Sequence, residues 1–158
     1  MILFQRIKEF LDQHAISYIV KEHAPTTTSE ESAKARGESI KIGAKALLLK
    51  MDSEFILAIL PADRQLDTGK FKKIMKSKNL RFANADELTR LTGCPKGAVP
   101  PFGFLFGLNM IVDEALFEEE YMAFNAGSLE ISIKTKTEDY RMIVKPREGQ
   151  FSTAQSEK

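Results

Sequence analysis

The chain has 158 residues, which is enough for one domain with a substantial hydrophobic core, and its formal net charge is only +1. This balance excludes a global attraction to nucleic acid or to a charged membrane surface, so any charged function must be local. The single cysteine, Cys94, cannot form an internal disulfide, and the Cys and His pairs typical of zinc sites are absent. We therefore expect a cytoplasmic protein without a metal ion or cofactor.

The first half of the chain predicts a helix, a strand, a second helix and a hairpin. Apolar residues recur at helical spacing through MILFQRIKEFLDQH, which favours an amphipathic helix over a signal peptide. SYIVKEH predicts a strand, and Thr28 with Glu31 predicts a capped helix that ends at Gly37. In KALLLKMDSEFILAILP, two apolar runs flank a polar turn, which predicts a β-hairpin at the centre of the fold.

The second half predicts further helices and strands in irregular alternation. Helical patterns cover residues 68–78 and 85–93, and we expect both helices on one side of the sheet. Strands are predicted at MIVDE, YMAFN and LEISI, with a short helical turn after the first and a helix beginning at Thr135 or Thr137 after the last. Without regular βαβ alternation, the chain is expected to be a mixed α/β protein with a curved sheet surrounded by helices.

The end of the chain differs in composition from the rest. Residues 147–158 are mostly polar, so we predict a frayed C-terminal tail behind a single domain of residues 1–146.

Lys45 is a candidate functional residue because of its place in the hairpin. With the period of two of a strand, it shares a face with Leu47 and Leu49, while Lys50 falls on the opposite face. One of these lysines therefore lies on a predominantly buried face, where an ammonium group must reach a cleft or a carboxylate. The pattern equally allows a strand-end lysine whose side chain extends to water.

The segment GKFKKIMKSKNLR carries six basic residues and no acidic one. Since the whole chain has a net charge of +1, the remainder is about five units negative, and the charge is segregated. Such a surface suits a phosphate backbone, and Lys70, Lys73 and Lys76 are candidate contacts. A solvated helix face explains the same pattern.

The loop GAVPPFG, from Gly97 to Gly103, contains two adjacent prolines, which exclude it from a helix or a central strand. One interpretation is a rigid connection that restricts the unfolded chain. The other is a preorganised wall of a binding site, because glycine lets a ligand approach backbone amides and proline holds them in place. The pattern alone does not decide between the two.

Five further residues have plain structural explanations. The position of Asp113 favours a cap of the next helical turn, and a catalytic role is the secondary interpretation. Asn125 and Gly127 mark a bend where backbone groups can approach a ligand, although an ordinary turn explains them as well. His14 and His23 have no partner at the spacing of a catalytic triad or a metal site, and we expect both to be structural or surface residues.

Taken in order, GAKALLLK, ILAILPADRQLD, LTGCPKGAVPPFG, VDEALF and FNAGSLEISIKTKTEDY resemble the YbaK/ProX family of aminoacyl-tRNA deacylases, the free-standing relatives of the editing domain of bacterial prolyl-tRNA synthetase. The resemblance covers nearly the whole chain and is strongest to the YeaK-like branch. It implies a curved, barrel-like, mostly antiparallel sheet surrounded by helices. It also implies a trans-editing hydrolase that removes a small amino acid such as Ser, Thr, Ala or Cys from mischarged tRNA.

The resemblance also implies roles for individual residues. Lys45 corresponds to the key lysine of the family, which orients the substrate and counters charge, and Asp113 lies in a strand-to-helix segment of the family. The substrate-binding positions are Gly97, Ala98, Val99, Pro100, Pro101, Asp113, Asn125 and Gly127. The ribose hydroxyl of the substrate is implied to help activate the water. Lys70, Lys73 and Lys76 would then contact tRNA.

The implied partners are the acceptor end of a mischarged tRNA and an aminoacyl-tRNA synthetase, with no membrane. Alanine-editing members carry a histidine and a proline before the late asparagine, whereas this chain has Met122, Ala123 and Phe124 there. The branch therefore favours serine or threonine. Two alternatives stay open: a non-catalytic tRNA- or nucleotide-binding module of the same fold, and a protein-interaction domain.

Overall fold

The structure is a computed structural model that describes residues 2–26 and 28–155. The helices within these residues are Ile2–Gln13 (α1), Ser29–Arg36 (α2), Thr68–Met75 (α3), Ala85–Thr92 (α4) and Thr137–Val144 (α5). The strands are Tyr18–Glu22 (β1), Ala44–Met51 (β2), Glu54–Pro61 (β3), Arg64–Leu66 (β4), Leu80–Phe82 (β5), Asn109–Asp113 (β6), Tyr121–Asn125 (β7), Ile131–Lys136 (β8), Arg147–Gly149 (β9) and Ser152–Ala154 (β10). These elements confirm the mixed α/β class. None of the described helices is long and apolar enough to cross a membrane.

The predicted hairpin is the centre of a five-stranded sheet with the order β5-β2-β3-β6-β9. β2 and β3 pair antiparallel along their whole length around a turn at Asp52, whereas β6 runs parallel to both of its neighbours. β1, β8 and β7 form an antiparallel sheet, and β10 pairs with β4. The two larger sheets meet at a bridge between Gly43 and Ala123, and among the described strands no closed barrel forms.

Alternate residues of the hairpin face two separate cores. Leu48 belongs to the larger cluster, which includes buried residues of α1 and α5, and Leu49 belongs to the smaller cluster, which includes Phe71 of α3. Leu88 and Leu91 of α4 pack against the larger cluster. The prediction that α3 and α4 share one side of the sheet is therefore wrong. Between them, β5 pairs with the edge of β2, and the chain passes there from one face to the other.

The predicted frayed tail is also wrong for residues 147–154. β9 pairs with β6 and β10 pairs with β4, and between them Phe151 is fully buried. Its ring meets Phe71 edge to face, with 5.2 Å between ring centroids. Each of these strands has three residues, which is too short for an alternating pattern to appear in the sequence.

The helix expected over residues 68–78 is shorter than predicted. α3 ends at Met75, and Lys76 takes a left-handed conformation with φ of +52°. α2 confirms the predicted cap, because the side chain of Thr28 accepts a hydrogen bond from the backbone N–H of Glu31 and Gly37 ends the helix.

Candidate active site

A recess of about 160 Å³ lies beside the first half of β2, and we call it the β2 pocket. Its described lining residues are Thr26, Thr28, Ser29, Ser32, Arg36, Gly43, Ala44, Lys45, Ala46, Leu47, Ala62, Lys96, Gly97, Val99, Asn125 and Leu129. β5 pairs only with the stretch of β2 from Leu49 to Met51. The first half of β2 therefore has no neighbouring strand on this side among the described residues, apart from the bridge at Gly43.

The open edge of β2 exposes backbone groups to the pocket. The carbonyl of Leu48 accepts a hydrogen bond from the N–H of Ala83 at 2.9 Å, so the backbone groups of Leu48 point to this edge. Backbone groups of alternate strand residues point the same way, and those of Ala46 therefore also face this edge. Among the described strands, β5 reaches only Leu49 on this edge and the isolated bridge lies at Gly43, so no strand pairs with Ala46 there. Ala46 thus offers a ligand one backbone donor and one acceptor.

Lys45 lines the pocket and is half-buried. Its Nζ lies 3.5 Å from the carbonyl oxygen of Ala62, and it forms no ion pair with a described residue. Burial lowers the pKa of Lys45, and the negative charges of Glu30 and Asp63 oppose this shift. The sequence allowed Lys45 either to reach a cleft or to extend to water, and in the structure it lines a cleft.

Asn125 connects the proline-containing loop to the end of β7. Its Nδ2 donates to the carbonyl of Gly97 at 2.7 Å, and its Oδ1 accepts from the hydroxyl of Ser132 at 3.0 Å. Gly97 has φ of +89°, a conformation that glycine adopts readily. The side chain of Asn125 therefore fixes the position of the loop at the wall of the pocket.

Arg36 is a buried cation that sequence reasoning missed. It is 7% exposed and donates from Nε to Ser132 Oγ at 3.0 Å and from Nη2 to Asn125 Oδ1 at 3.5 Å. Burial lowers the pKa of Arg36, and the charge of Glu38 opposes this. His23 Nε2 lies 2.8 Å from the same Ser132 hydroxyl, which is consistent with the structural role that the sequence led us to expect. These residues come from α2, β8 and the end of β1, and their separation in the chain leaves no local signal.

The five predicted loop positions divide into two groups. Gly97 and Val99 line the β2 pocket, whereas Ala98, Pro100 and Pro101 are buried and do not line it. The loop is held in the core by Tyr140, whose hydroxyl donates to the carbonyl of Pro101 at 2.6 Å. The loop is thus a buried connection at Pro100 and Pro101, and Gly97 and Val99 lie at the wall of the pocket.

Asp113 lies away from the pocket and has a structural role. Its Oδ1 accepts from the N–H of Ala115 at 2.9 Å, which confirms the predicted cap, here of the 3₁₀ turn Glu114–Glu118. Its Oδ2 accepts from the buried N–H of Phe151 at 2.8 Å. Both carboxylate oxygens are therefore occupied by backbone donors.

The remaining predicted residues are also outside the pocket. Gly127 donates its N–H to the carbonyl of Ala98 at 2.9 Å, and a Cβ at this position would meet Leu3 at 2.7 Å. Lys70 and Lys73 are exposed on α3, Lys76 is exposed directly after it, and none of the three lines the β2 pocket. The structure therefore does not bring these lysines to the pocket.

The charge of the β2 pocket is entirely positive. Arg36, Lys45 and Lys96 line it, and its described lining includes no aspartate or glutamate. Within residues 2–26 and 28–155, no three His, Cys, Asp or Glu side chains come together as a metal site. A recess with ammonium and guanidinium groups and an open backbone N–H is suited to an anion, or to a carbonyl oxygen that gains negative charge during a reaction.

Several known proteins are similar to this chain in sequence. A family model for the aminoacyl-tRNA editing domain matches residues 23–143. The chain is 35% identical over 150 residues to the multifunctional Ser/Thr-tRNA deacylase ProXp-y of Escherichia coli K12, covering 92% of this chain and 90% of that protein. It is 28% identical to the prolyl-tRNA editing protein ProX of Acetoanaerobium sticklandii, covering 89% and 90% of the two chains.

Solved structures share the fold. One is described as a putative trans-editing enzyme for prolyl-tRNA synthetase, and it superimposes with a TM-score of 0.81 over 96% of this chain and 97% of that chain, at 21% sequence identity.

Proposed function

Because this chain belongs to the aminoacyl-tRNA editing domain family, we propose that the β2 pocket receives the amino acid of a mischarged tRNA and hydrolyses its ester bond. The protein is thus an aminoacyl-tRNA deacylase. The observation that carries this assignment to the pocket is the combination of Lys45 with the open backbone edge at Ala46 and the loop at Gly97. Asn125 holds that loop in place before substrate arrives.

The reaction needs stabilisation of one developing charge. The oxygen of water attacks the ester carbonyl carbon and the carbonyl oxygen becomes negative. The carbonyl bond then re-forms as the bond to the ribose oxygen breaks, and the ribose oxygen takes up the proton that the attacking water has lost. We assign stabilisation of the negative oxygen to the ammonium of Lys45 and the N–H of Ala46, because both residues line the pocket. We assign orientation of the attacking water to the neighbouring ribose hydroxyl of the substrate, as the resemblance implies.

The size and polarity of the pocket favour a small hydroxylated amino acid. Thr26 and Ser32, whose hydroxyl oxygens lie 2.7 Å apart, line a space of only about 160 Å³ together with Asn125. Hydroxyl groups and an amide in such a space can pair with the hydroxyl of serine or threonine, and pairing of this kind discriminates more strongly than a difference of one methylene. Met122, Ala123 and Phe124, the segment in which alanine-editing members are expected to carry a histidine and a proline, are buried in the core and do not line the pocket.

A panel of tRNAs charged with labelled serine, threonine, alanine or cysteine tests this function. We expect release of serine and threonine well above the rate in buffer, with alanine and cysteine slower. Binding of tRNA without release of any amino acid would favour the non-catalytic module instead. Neither binding nor release would favour the protein-interaction domain.

We further propose that Lys70, Lys73 and Lys76 contact the phosphate backbone of the tRNA beyond its acceptor end. They are exposed, and none forms an ion pair with a described residue. Replacing all three by glutamine should raise KM without changing kcat, and should flatten the dependence of log KM on log salt concentration by roughly 0.7–0.9 per lost contact. An unchanged salt slope would contradict this contact. An association with an aminoacyl-tRNA synthetase stays a prediction.

A further inference from the structure

Three buried side chains form a hydrogen-bond chain that starts at Arg36 and ends at the wall of the β2 pocket. Arg36 Nε donates to Ser132 Oγ at 3.0 Å, and the Ser132 hydroxyl donates to Asn125 Oδ1 at 3.0 Å. Asn125 Nδ2 then donates to the carbonyl of Gly97 at 2.7 Å. A contact of 3.5 Å from Arg36 Nη2 to Asn125 Oδ1 closes the network.

The direction of this chain is fixed by the chemistry of its first member. A guanidinium group is always charged and can only donate, and an amide oxygen can only accept. The hydroxyl proton of Ser132 therefore points away from Arg36, and its contact with Asn125 Oδ1 requires that proton. We accordingly assign a proton to Nε2 of His23, which lies 2.8 Å from the same hydroxyl oxygen.

The same donors fix the orientation of the Asn125 amide. With Oδ1 toward Ser132 and Arg36, the Nδ2 group meets the carbonyl of Gly97. Rotating the amide by half a turn would place its NH₂ group against two donors and its oxygen against a carbonyl oxygen. The loop at Gly97 is therefore held by an amide whose orientation depends on residues of α2 and β8.

Resting on the proposed function, we infer that Arg36 is a positioning residue for deacylation, which acts on the Gly97 loop through Ser132 and Asn125 and not by contact with the substrate. Its permanent charge polarises the chain in one direction, and hydrogen bonds in such a chain strengthen one another. The last bond holds the carbonyl of Gly97 at the pocket wall. Loss of the first donor should therefore loosen the loop at the reacting centre.

Ser132→Ala tests the middle of the chain with the smallest change, the loss of one buried hydroxyl. On seryl-tRNA, kcat should fall about tenfold with little change in KM, since a small displacement near a reacting group lowers the rate steeply. Ser152→Ala is the matched control, because Ser152 is also buried and accepts from Arg64 Nε at 2.7 Å, and it does not line the β2 pocket. The control should keep the wild-type kcat. An unchanged kcat in Ser132→Ala, or an equal loss in both variants, would overturn the inference.

A double-mutant cycle separates action through Asn125 from direct contact with the substrate. Arg36→Met and Asn125→Ala should each lower kcat. The double variant should be no slower than Asn125→Ala alone, because Arg36 then has no route to Gly97. Losses that multiply would overturn the inference and indicate that Arg36 meets the substrate itself. If Arg36→Met does not fold, Ser132→Ala takes its place in the same cycle.

An NMR measurement without substrate decides the chain independently of the proposed function. In protein labelled with ¹³C and ¹⁵N, Ser132→Ala should shift the side-chain NH₂ signals of Asn125 and the carbonyl carbon signal of Gly97. Ser152→Ala should shift neither. An unchanged Gly97 carbonyl signal in Ser132→Ala would contradict the chain, whether or not the protein is an enzyme. A wild-type protein without deacylase activity would contradict the proposed function, while these signals still decide whether the chain holds the loop.

Discussion

Replacing Gly97 by alanine separates the role of the loop in the pocket from its role in stability. Gly97 has φ of +89°, and its carbonyl accepts the hydrogen bond from Asn125. A Cβ built at this position meets only the side chain of Leu129 at 3.5 Å, an ordinary contact. The cost to folding is therefore the strain of a positive φ, about 1–2 kcal/mol. For a chain of this length each kcal/mol lowers Tm by about 2–4 °C.

Gly93→Ala is the matched control because it produces the same strain outside the pocket. Gly93 ends α4 with φ of +69°, no heavy atom lies within 4 Å of its added Cβ, and it does not line the β2 pocket. The Tm of both variants should fall by a similar amount. Only Gly97→Ala should lose turnover, because relief of its strain shifts the loop, and a displacement of about 1 Å at a reacting group costs about 100-fold.

The assay is thermal denaturation of both variants, followed by single-turnover deacylation of seryl-tRNA at a temperature where both remain folded. We expect equal losses of Tm and a loss of rate confined to Gly97→Ala. Equal rates in the two folded variants would refute the role of the loop as a preorganised wall and leave it as a plain connection.

Three further predictions address Lys45, Asp113 and Phe151. Burial lowers the pKa of Lys45 below the ordinary 10.5, so the ammonium form is present at low pH and kcat should fall as pH rises through that lowered value; a rate that rises there would indicate a general base. Asp113→Ala loses a cap and leaves a buried N–H unpaired, which should cost about 2–4 kcal/mol in urea denaturation, while the folded variant keeps its kcat. A folded Asp113→Ala variant without activity would instead support the predicted substrate-binding role of Asp113. Phe151→Ala should lower the free energy of unfolding by about 3–5 kcal/mol, and a loss below 1 kcal/mol would show that the C-terminal strands contribute little.

Local patterns in the sequence predicted most of the fold, since periodicity identifies an element that is long enough to repeat. The hairpin, the capped α2 and the strands at β6, β7 and β8 are confirmed for this reason. β9 and β10 are too short to show alternation, and the opposite placement of α3 and α4 depends on pairing at the edge of β2.

The site was predictable only in part. Lys45, Gly97, Val99 and Asn125 are brought together, and each was identified from the sequence. Arg36 is separated by 96 residues from Ser132, and at the end of a helix it resembles an ordinary surface cation. Contacts over such a separation depend on the packing of β8 against β7 and on the position of α2, which no local pattern specifies.

The most direct test of the central claim compares Lys45→Met with Lys50→Met in deacylation of seryl-tRNA at saturating substrate. Both lysines belong to β2, but Lys50 lies outside the β2 pocket, with its Nζ 5.6 Å from the ring centroid of Phe55. We predict that Lys45→Met remains folded and loses about 100- to 1000-fold in kcat, the usual cost of removing one group that stabilises an oxyanion. Lys50→Met should keep the wild-type kcat. A folded Lys45→Met protein with wild-type kcat, or an equal loss in both variants, would contradict hydrolysis at the β2 pocket.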